Sequence, residues 1–161
     1  MEGFLHTKAI PFEKSDFGRT YLICDPDSIT SSLSFRILAY FTITQKVFYL
    51  SDELSTSRRK KLSGLFYNEA ETVGYLIGQL GKNHSLPASE NPVHLADILS
   101  VAAEKIYTVY EQIGGRFMFL DCKKTNTKVC AMYKANGFVP FQDIILDEKV
   151  EYHQMIRMLH A

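Results

Sequence analysis

Tryptophan is missing from this chain of 161 residues, proline occurs five times, and cysteine occurs three times. Three cysteines without short spacing do not predict a disulfide framework, and they suit a reducing compartment such as the cytosol. Neither charge is in excess, since Lys plus Arg and Asp plus Glu each number 18. A neutral balance disfavours a protein that wraps nucleic acid, but it leaves room for a local basic patch.

Long apolar runs are missing as well, so we expect no segment that spans a membrane. The N-terminus lacks the basic and then apolar pattern of a signal peptide, which predicts a cytoplasmic protein without membrane contact. No metal is expected, because Cys122 and Cys130 with the nearby histidines lack the spacing of metal ligands. The length and the 46% hydrophobic content predict one globular domain over residues 1–161.

The first part of the chain predicts one helical segment and two antiparallel strands. Residues 2–16 have loosely periodic apolar side chains, which favour a helix. Residues 19–25 and 35–50 are rich in β-branched and aromatic side chains, and turn residues stand between them at 25–28. In the second strand, alternate positions share one face, and they are Phe35, Ile37, Ala39, Phe41 and Ile43.

A basic run, Arg58-Arg59-Lys60-Lys61, interrupts this pattern within residues 51–68. Such a run is most often a solvated loop or helix face, and we expect that here. The functional alternative is a patch that meets phosphate on a cofactor or on an RNA substrate.

Residues 71–82 predict a central strand that carries three glycines, Gly74, Gly78 and Gly81. Glycine in a strand marks either close packing of a bulky neighbour or a place where a ligand approaches the backbone. Residues 93–113 then predict a long amphipathic helix that Gly114-Gly115 ends, and residues 116–122 predict the next strand. This order favours a parallel strand pair, with the helix N-terminus as a ready anion site.

The stretch from Asn126 to Phe138 predicts a short capped helix. Asn126 is a typical first cap, and Val129, Met132 and Tyr133 are spaced to share one face. Asn136-Gly137 ends the helix, because glycine adopts positive φ without strain. Two strands are predicted to follow, at 138–146 and 151–159, joined around 147–148.

The combination of Asn126, Tyr133 and Gly137-Phe138 after a buried strand resembles the C-terminal signature of the Gcn5-related N-acetyltransferases. The resemblance implies an α/β (α+β) fold, with a mixed, mostly antiparallel sheet that has a parallel pair in its middle and helices on its flanks. It implies acetyl-CoA as co-substrate, and Tyr133 as the general acid beside the cofactor sulfur. The cofactor-binding residues that it implies are Gln79, Leu80, Gly81, Lys82, His94, Leu95, Ala96 and Asn126.

Two features depart from the family pattern. The family loop before the long helix usually reads Gln or Arg, two residues, Gly, one residue, then Gly or Ala, whereas residues 88–96 have no glycine. Pro92 removes a donor there and Glu90 adds a negative charge. The N-terminus also lacks the family's first strand, so we expect a short form or a chain without its original beginning. A homodimer is one way to cover the sheet edge so exposed.

These features predict an N-acetyltransferase in which an amine attacks the thioester directly, with the carbonyl oxygen stabilised by a strand amide around Leu80. The acceptor is a small-molecule or protein amine, or tRNA. One alternative is a non-catalytic module of the same fold, with Tyr133 as a core tyrosine. Another is a toxin that acetylates aminoacyl-tRNA, motivated by the basic run. No general base is assigned. Glu71 and Asp121 are expected to be solvated. His84 and His94 flank the loop, and a lone histidine is more often structural.

Overall fold

The computed structural model describes residues 2–29, 34–146 and 149–160. The helices are α1 (Glu2–Thr7), α2 (Ala9–Lys14), α3 (Thr56–Ser63), α4 (Leu95–Ile113) and α5 (Thr127–Ala135). The strands are β1 (Arg19–Cys24), β2 (Ile37–Tyr49), β3 (Glu71–Lys82), β4 (Phe117–Lys123), β5 (Val139–Leu146) and β6 (Val150–Met158). The turn predicted at 147–148 lies outside the described residues. Among those described, no helix has the length and apolarity needed to cross a membrane.

The strands form a six-stranded sheet in the order β1-β2-β3-β4-β6-β5. β1 pairs antiparallel with β2, and β6 pairs antiparallel with both β4 and β5. β3 and β4 are parallel, with Tyr75 opposite Met118 and Leu76 opposite Phe119. The long helix α4 makes the crossover that a parallel pair requires. The predicted fold class, with its parallel pair, is confirmed.

The N-terminal segment differs from the prediction of a single helix. The structure has two short helices that meet at Lys8, and Asp16 leaves the second one with a φ of 56°. Pro11 explains the break, because it falls in the first turn of α2, where an amide hydrogen has no helical acceptor to lose.

Contacts between Cα atoms divide the chain into two compact units. The first unit comprises residues 1–44 and 77–105, and the second comprises residues 45–76 and 106–161. The single domain over residues 1–161 therefore stays a prediction.

The first unit buries β2 on both faces. Phe4 of α1 stacks on Tyr40 at 6.2 Å between ring centroids, whereas Tyr21 stacks on Phe41 at 5.1 Å on the opposite face. Leu38 and Tyr40 are buried as well as Ala39, Phe41 and Ile43 of the predicted face, so side chains on both faces of this strand are covered. Helices contribute to this core as well as strands, and a strand covered on both sides loses its alternation. Phe35 lies before the strand and is exposed.

The edge of β1 is partly covered within the same unit. The Thr20 amide donates to the Glu13 carboxylate of α2 at 3.0 Å instead of facing an open edge. Arg19 reinforces this contact, with its Nε 3.5 Å from the same carboxylate group. A side chain thus satisfies a backbone donor that would otherwise invite another strand. The homodimer stays a prediction.

The second unit packs around phenylalanine rings. Phe48 makes edge contacts with Phe117, Phe119 and Phe141 at centroid distances of 5.3, 5.0 and 6.0 Å. Gly74 belongs to this packing, because a Cβ built on it would lie 2.5 Å from the Phe117 ring. Of the two reasons for glycine in β3, close packing therefore accounts for Gly74.

The cysteines also differ from the prediction. Cys122 at the end of β4 and Cys130 in α5 form a disulfide, and Cys24 is free. The expectation of no disulfide was wrong, because the turn between β4 and α5 folds the helix back onto the strand end. Spacing along the sequence, eight residues here, does not reveal this approach.

Candidate functional site

The helix α5 has the caps that the sequence predicts. The Asn126 side chain accepts from the Val129 amide at 3.3 Å, and Gly137 has a φ of 86°. The Phe138 amide then donates to the Tyr133 carbonyl at 3.1 Å, which closes the C-terminus. Met132 is a correction to the predicted face, because it is 37% exposed and Cys130 is buried in its place. The disulfide to β4 explains the difference, since it fixes which side of the helix faces the sheet.

Tyr133 is the buried titratable group of this helix. Its side chain is 7% exposed and packs beside Phe138 at 6.3 Å between ring centroids. Burial raises the pKa of the phenol, so the proton stays on the oxygen at neutral pH. Among the described residues the Tyr133 hydroxyl has no hydrogen-bond partner. A protonated hydroxyl in this state can donate to a ligand atom.

The end of β3 in the first unit presents backbone amides in two directions. The Gln79 amide donates to the Thr42 hydroxyl at 2.8 Å, and the Asn83 amide donates to the Leu38 carbonyl at 2.8 Å, so both point towards β2. Backbone N–H groups alternate between the two edges of a strand. The Leu80 amide therefore points away from β2.

The loop of residues 83–94 precedes α4, and one asparagine holds it through hydrogen bonds. Asn91 is fully buried, and its side-chain nitrogen donates to the carbonyls of Leu38 and Asn83 at 2.9 and 3.0 Å. Its side-chain oxygen accepts from the Val93 amide at 3.2 Å, and its own carbonyl accepts from Lys82 Nζ at 2.8 Å. Side-chain hydrogen bonds thus hold this loop, which contains no glycine.

The start of α4 already has an anion of its own. The His94 amide donates to the Asp97 carboxylate at 2.7 Å, the pairing of a capping box in which the third helical residue reaches back to the cap. The carboxylate lies where the helix dipole favours negative charge. A phosphate bound at this amide would have to displace Asp97. The neighbouring Glu90 is neutralised by Arg36, 2.9 Å away.

The predicted site residues divide between the two units. Those in the first unit are Gln79, Leu80, Gly81, Lys82, His94, Leu95 and Ala96. Lys82 contacts the loop of residues 83–94 through its hydrogen bond to the Asn91 carbonyl. Asn126 and Tyr133 belong to the second unit, two turns apart on α5. Their roles in binding and catalysis stay predictions.

Asp121 is less solvated than predicted. It lies on the same face of β4 as Phe117 and Phe119, and burial raises the pKa of its carboxyl, although Gln154 and Lys46 act in the opposite direction. Gln154 Nε2 donates to one carboxylate oxygen at 3.1 Å. Its position in the apolar alternation Phe117, Phe119, Asp121 is the sequence signal that indicates this burial. Glu71 is exposed at the start of β3, as predicted.

The basic run forms part of α3 in the second unit. Arg58 donates to the Phe141 carbonyl and lies 4.7 Å from the ring centroid of the same residue. Arg59 donates to the Ser51 carbonyl at 2.8 Å, and its side chain is only 15% exposed. The prediction of a solvated face is wrong for Arg59. Carbonyl acceptors are neutral, so Arg58 keeps its positive charge beside the exposed Lys60 and Lys61.

No protein-family model and no curated protein sequence matches the chain. Several solved structures do. AtaTR bound with AcCoA is 19% identical, with a TM-score of 0.63, over 96% of this chain and 78% of that one. A tyrosine-to-phenylalanine mutant of KacT is 15% identical, with a TM-score of 0.64, over 97% and 79%. AtaT complexed with acetyl-methionyl-tRNAfMet is 21% identical, with a TM-score of 0.62, over 92% and 78%.

At these identities the likeness establishes the fold. The chain has the fold of the Gcn5-related N-acetyltransferases, as the resemblance in its C-terminal signature predicts. The solved structures that share it here include toxins of the AtaT and KacT kind.

Proposed function

We propose that this protein is an N-acetyltransferase that moves the acetyl group of acetyl-CoA to an amine by direct attack in a ternary complex. The observation that carries the proposal is Tyr133, whose side chain is buried and whose hydroxyl is protonated and makes no hydrogen bond to a described residue. It stands on a helix capped as the acetyltransferase signature requires. The fold and the acetyl-CoA complexes of AtaT support the same conclusion.

The residues of the chain would act in three ways. Tyr133 donates its proton to the departing thiolate, and a phenol suits this task because it stays protonated at neutral pH. The Leu80 amide, which points away from β2, donates to the carbonyl oxygen as negative charge develops on it. Asn126 orients the pantetheine arm. Acetyl-CoA supplies the activated acetyl group, and positioning does most of the remaining work.

The two ends of acetyl-CoA fit this chain unequally. In the second unit the Tyr133 hydroxyl suits the thioester, whereas in the first unit the phosphates meet Lys82 together with the Asp97 carboxylate on the His94 amide. Charge repulsion at the phosphates weakens binding without affecting the thioester. We therefore expect acetyl-CoA to bind more weakly than it does to an acetyltransferase with a glycine-rich loop.

Aminoacyl-tRNA is the acceptor that we propose in particular, ahead of a small-molecule or protein amine. AtaT has been solved in complex with acetyl-methionyl-tRNAfMet, and it shares this fold. Arg58, Lys60 and Lys61 on α3 keep positive charges that can meet a phosphate backbone. The neutral balance of the whole chain limits such binding to a local surface.

Transfer of labelled acetyl from acetyl-CoA tests the proposal. The acceptors are polyamines, amino-sugar antibiotics, peptides and charged tRNA, with uncharged tRNA as the matched control that lacks the amine. We expect label on charged tRNA and none on uncharged tRNA. Label on another amine alone would support the acetyltransferase activity but reject aminoacyl-tRNA as the acceptor. No transfer to any acceptor, although acetyl-CoA binds, would reject the enzyme.

A second candidate is a non-catalytic module of the same fold. The Asp97 carboxylate on the His94 amide favours it, because it occupies the position where the family binds phosphate. Calorimetry with acetyl-CoA separates the two candidates. Absence of binding at about 1 mM, a very weak affinity, would favour the module.

A further inference from the structure

A cavity of about 900 Å³ lies in the first unit, between the helices α1 and α2 and the strands β1 and β2. Its volume is within the range of small-molecule sites. The apolar part of its lining comes from Leu5, Ala9, Ile10, Leu22, Ile37 and Ala39. Of the residues with proposed roles in acetyl transfer, Lys82 alone reaches its lining.

The apolar lining is incompletely covered by the protein itself. Ile10 is 63% exposed and Leu22 is 41% exposed, although both face the cavity. Apolar surface left open in this way is stabilised when an apolar ligand removes it from water. The lining therefore favours a ligand with a hydrocarbon body.

The polar lining has a positive bias. Lys82 donates to the neutral Asn91 carbonyl, so its charge remains, and His84 and His6 add nitrogen atoms. Of the described residues that line the cavity, Glu13 is the acidic one, and its carboxylate is already bound by the Thr20 amide and by Arg19. A ligand with one negative group would be favoured over a neutral or cationic one.

We propose that this cavity binds a single-chain amphiphile with an anionic head group, which is a carboxylate or a phosphate monoester. The hydrocarbon chain of the ligand lies among Leu5, Ile10 and Leu22, and its head group meets Lys82 and His84. The proposed acetyl-CoA site shares only Lys82 with this cavity, and the ligand is a different one, so the proposal does not rest on acetyl transfer.

Calorimetry below the micellar concentration tests it with decanoate, decyl phosphate, decanol and decylammonium. We expect decanoate or decyl phosphate to bind at least about tenfold more tightly than decanol, and decylammonium to bind most weakly. The tighter of the two anions identifies the head group.

Variants locate the ligand. Ala9→Phe fills the cavity and should reduce the affinity for the anion by more than about tenfold. Ile10→Glu, at an exposed position that tolerates change, places a negative charge at the opening and should weaken the same binding. Lys82→Met should weaken binding of the anion but not of decanol, whereas Lys134→Met on α5 is the matched control and should change neither.

Three results would overturn the proposal. One is the absence of binding by either anion at about 1 mM. Another is equal affinity for decanoate, decanol and decylammonium, which would remove the role of charge. The third is displacement of decanoate by acetyl-CoA together with loss of both ligands in Ala9→Phe, because the cavity would then belong to the cofactor site.

Discussion

The helices α4 and α5 both begin with a side-chain cap, yet they leave different groups available. At α5, Asn126 caps the helix, and the hydroxyl of Tyr133 makes no hydrogen bond to a described residue. At α4, Asp97 takes the His94 amide, and Asn91 fills the loop before it. The Tyr133 hydroxyl of α5 is thus available to a ligand, whereas the His94 amide at the start of α4 is used by the fold itself. A helix start is therefore an anion site only where the chain does not supply the anion.

The largest expected effect is the loss of acetyl transfer when Tyr133 on α5 is changed. Tyr133→Phe keeps the ring and its packing but removes the proton, so we expect near-normal folding and acetyl-CoA binding, with transfer reduced about a hundredfold. Steady-state transfer to the best acceptor measures it. Tyr49→Phe at an exposed position is the control and should transfer normally. Equal rates in Tyr133→Phe and the parent would identify Tyr133 as a core tyrosine.

The next effect separates capping from binding at Asn126. Asn126→Ala should lower the free energy of unfolding by about 1 kcal/mol through loss of the cap, and it should also weaken acetyl-CoA binding. Ser55→Ala is the matched control, since Ser55 caps α3 by accepting from the Arg58 amide at 3.4 Å. The control should show a similar loss of stability with unchanged affinity. If both variants bind acetyl-CoA like the parent, Asn126 is a cap only.

The same contrast explains how far the sequence could predict the molecule. Strands, the crossover and the α5 caps follow from short-range patterns, because periodicity and cap residues act within a few positions. The roles of Asn91 and Asp97 depend on loop geometry, in which one buried amide reaches Leu38 from far along the chain. The Cys122–Cys130 bond and the burial of Arg59 likewise depend on packing between elements. Such contacts have no periodic signal.

A smaller effect, on acetyl-CoA affinity, is expected at the start of α4. Asp97→Asn keeps an oxygen that can accept from the His94 amide but removes the charge, so acetyl-CoA should bind about fivefold more tightly, which is about 1 kcal/mol. Glu90→Gln is the control, because Arg36 already neutralises Glu90, and its effect should be smaller. Calorimetry at low salt compares them. Weaker binding in Asp97→Asn would mean that the carboxylate supports the loop more than it repels phosphate.

The smallest effect concerns pH and lies within the second unit. Burial raises the pKa of Asp121, so the folded state holds this proton more tightly than the unfolded state does. The free energy of unfolding that Asp121 contributes therefore falls as pH rises from the ordinary carboxyl pKa through the raised one, and it stays low above it. Asp121→Asn should accordingly gain stability at pH 7 relative to the parent and lose that gain near pH 3.

Asp143 lies in the same unit and has a lowered pKa, so its contribution to stability changes with pH in the opposite direction. It therefore serves as the control. Lys124 lies 2.6 Å from its carboxylate and holds the pKa of Asp143 below its usual range, so this pair stabilises the fold above the ordinary carboxyl pKa and stops doing so in acid. Asp143→Asn should lose stability at pH 7 and converge on the parent near pH 3. Urea unfolding at both pH values measures the two variants together. If Asp121→Asn also loses stability at pH 7, the bond from Gln154 outweighs the desolvation of the carboxylate, and Asp121 is a structural acceptor in the sheet.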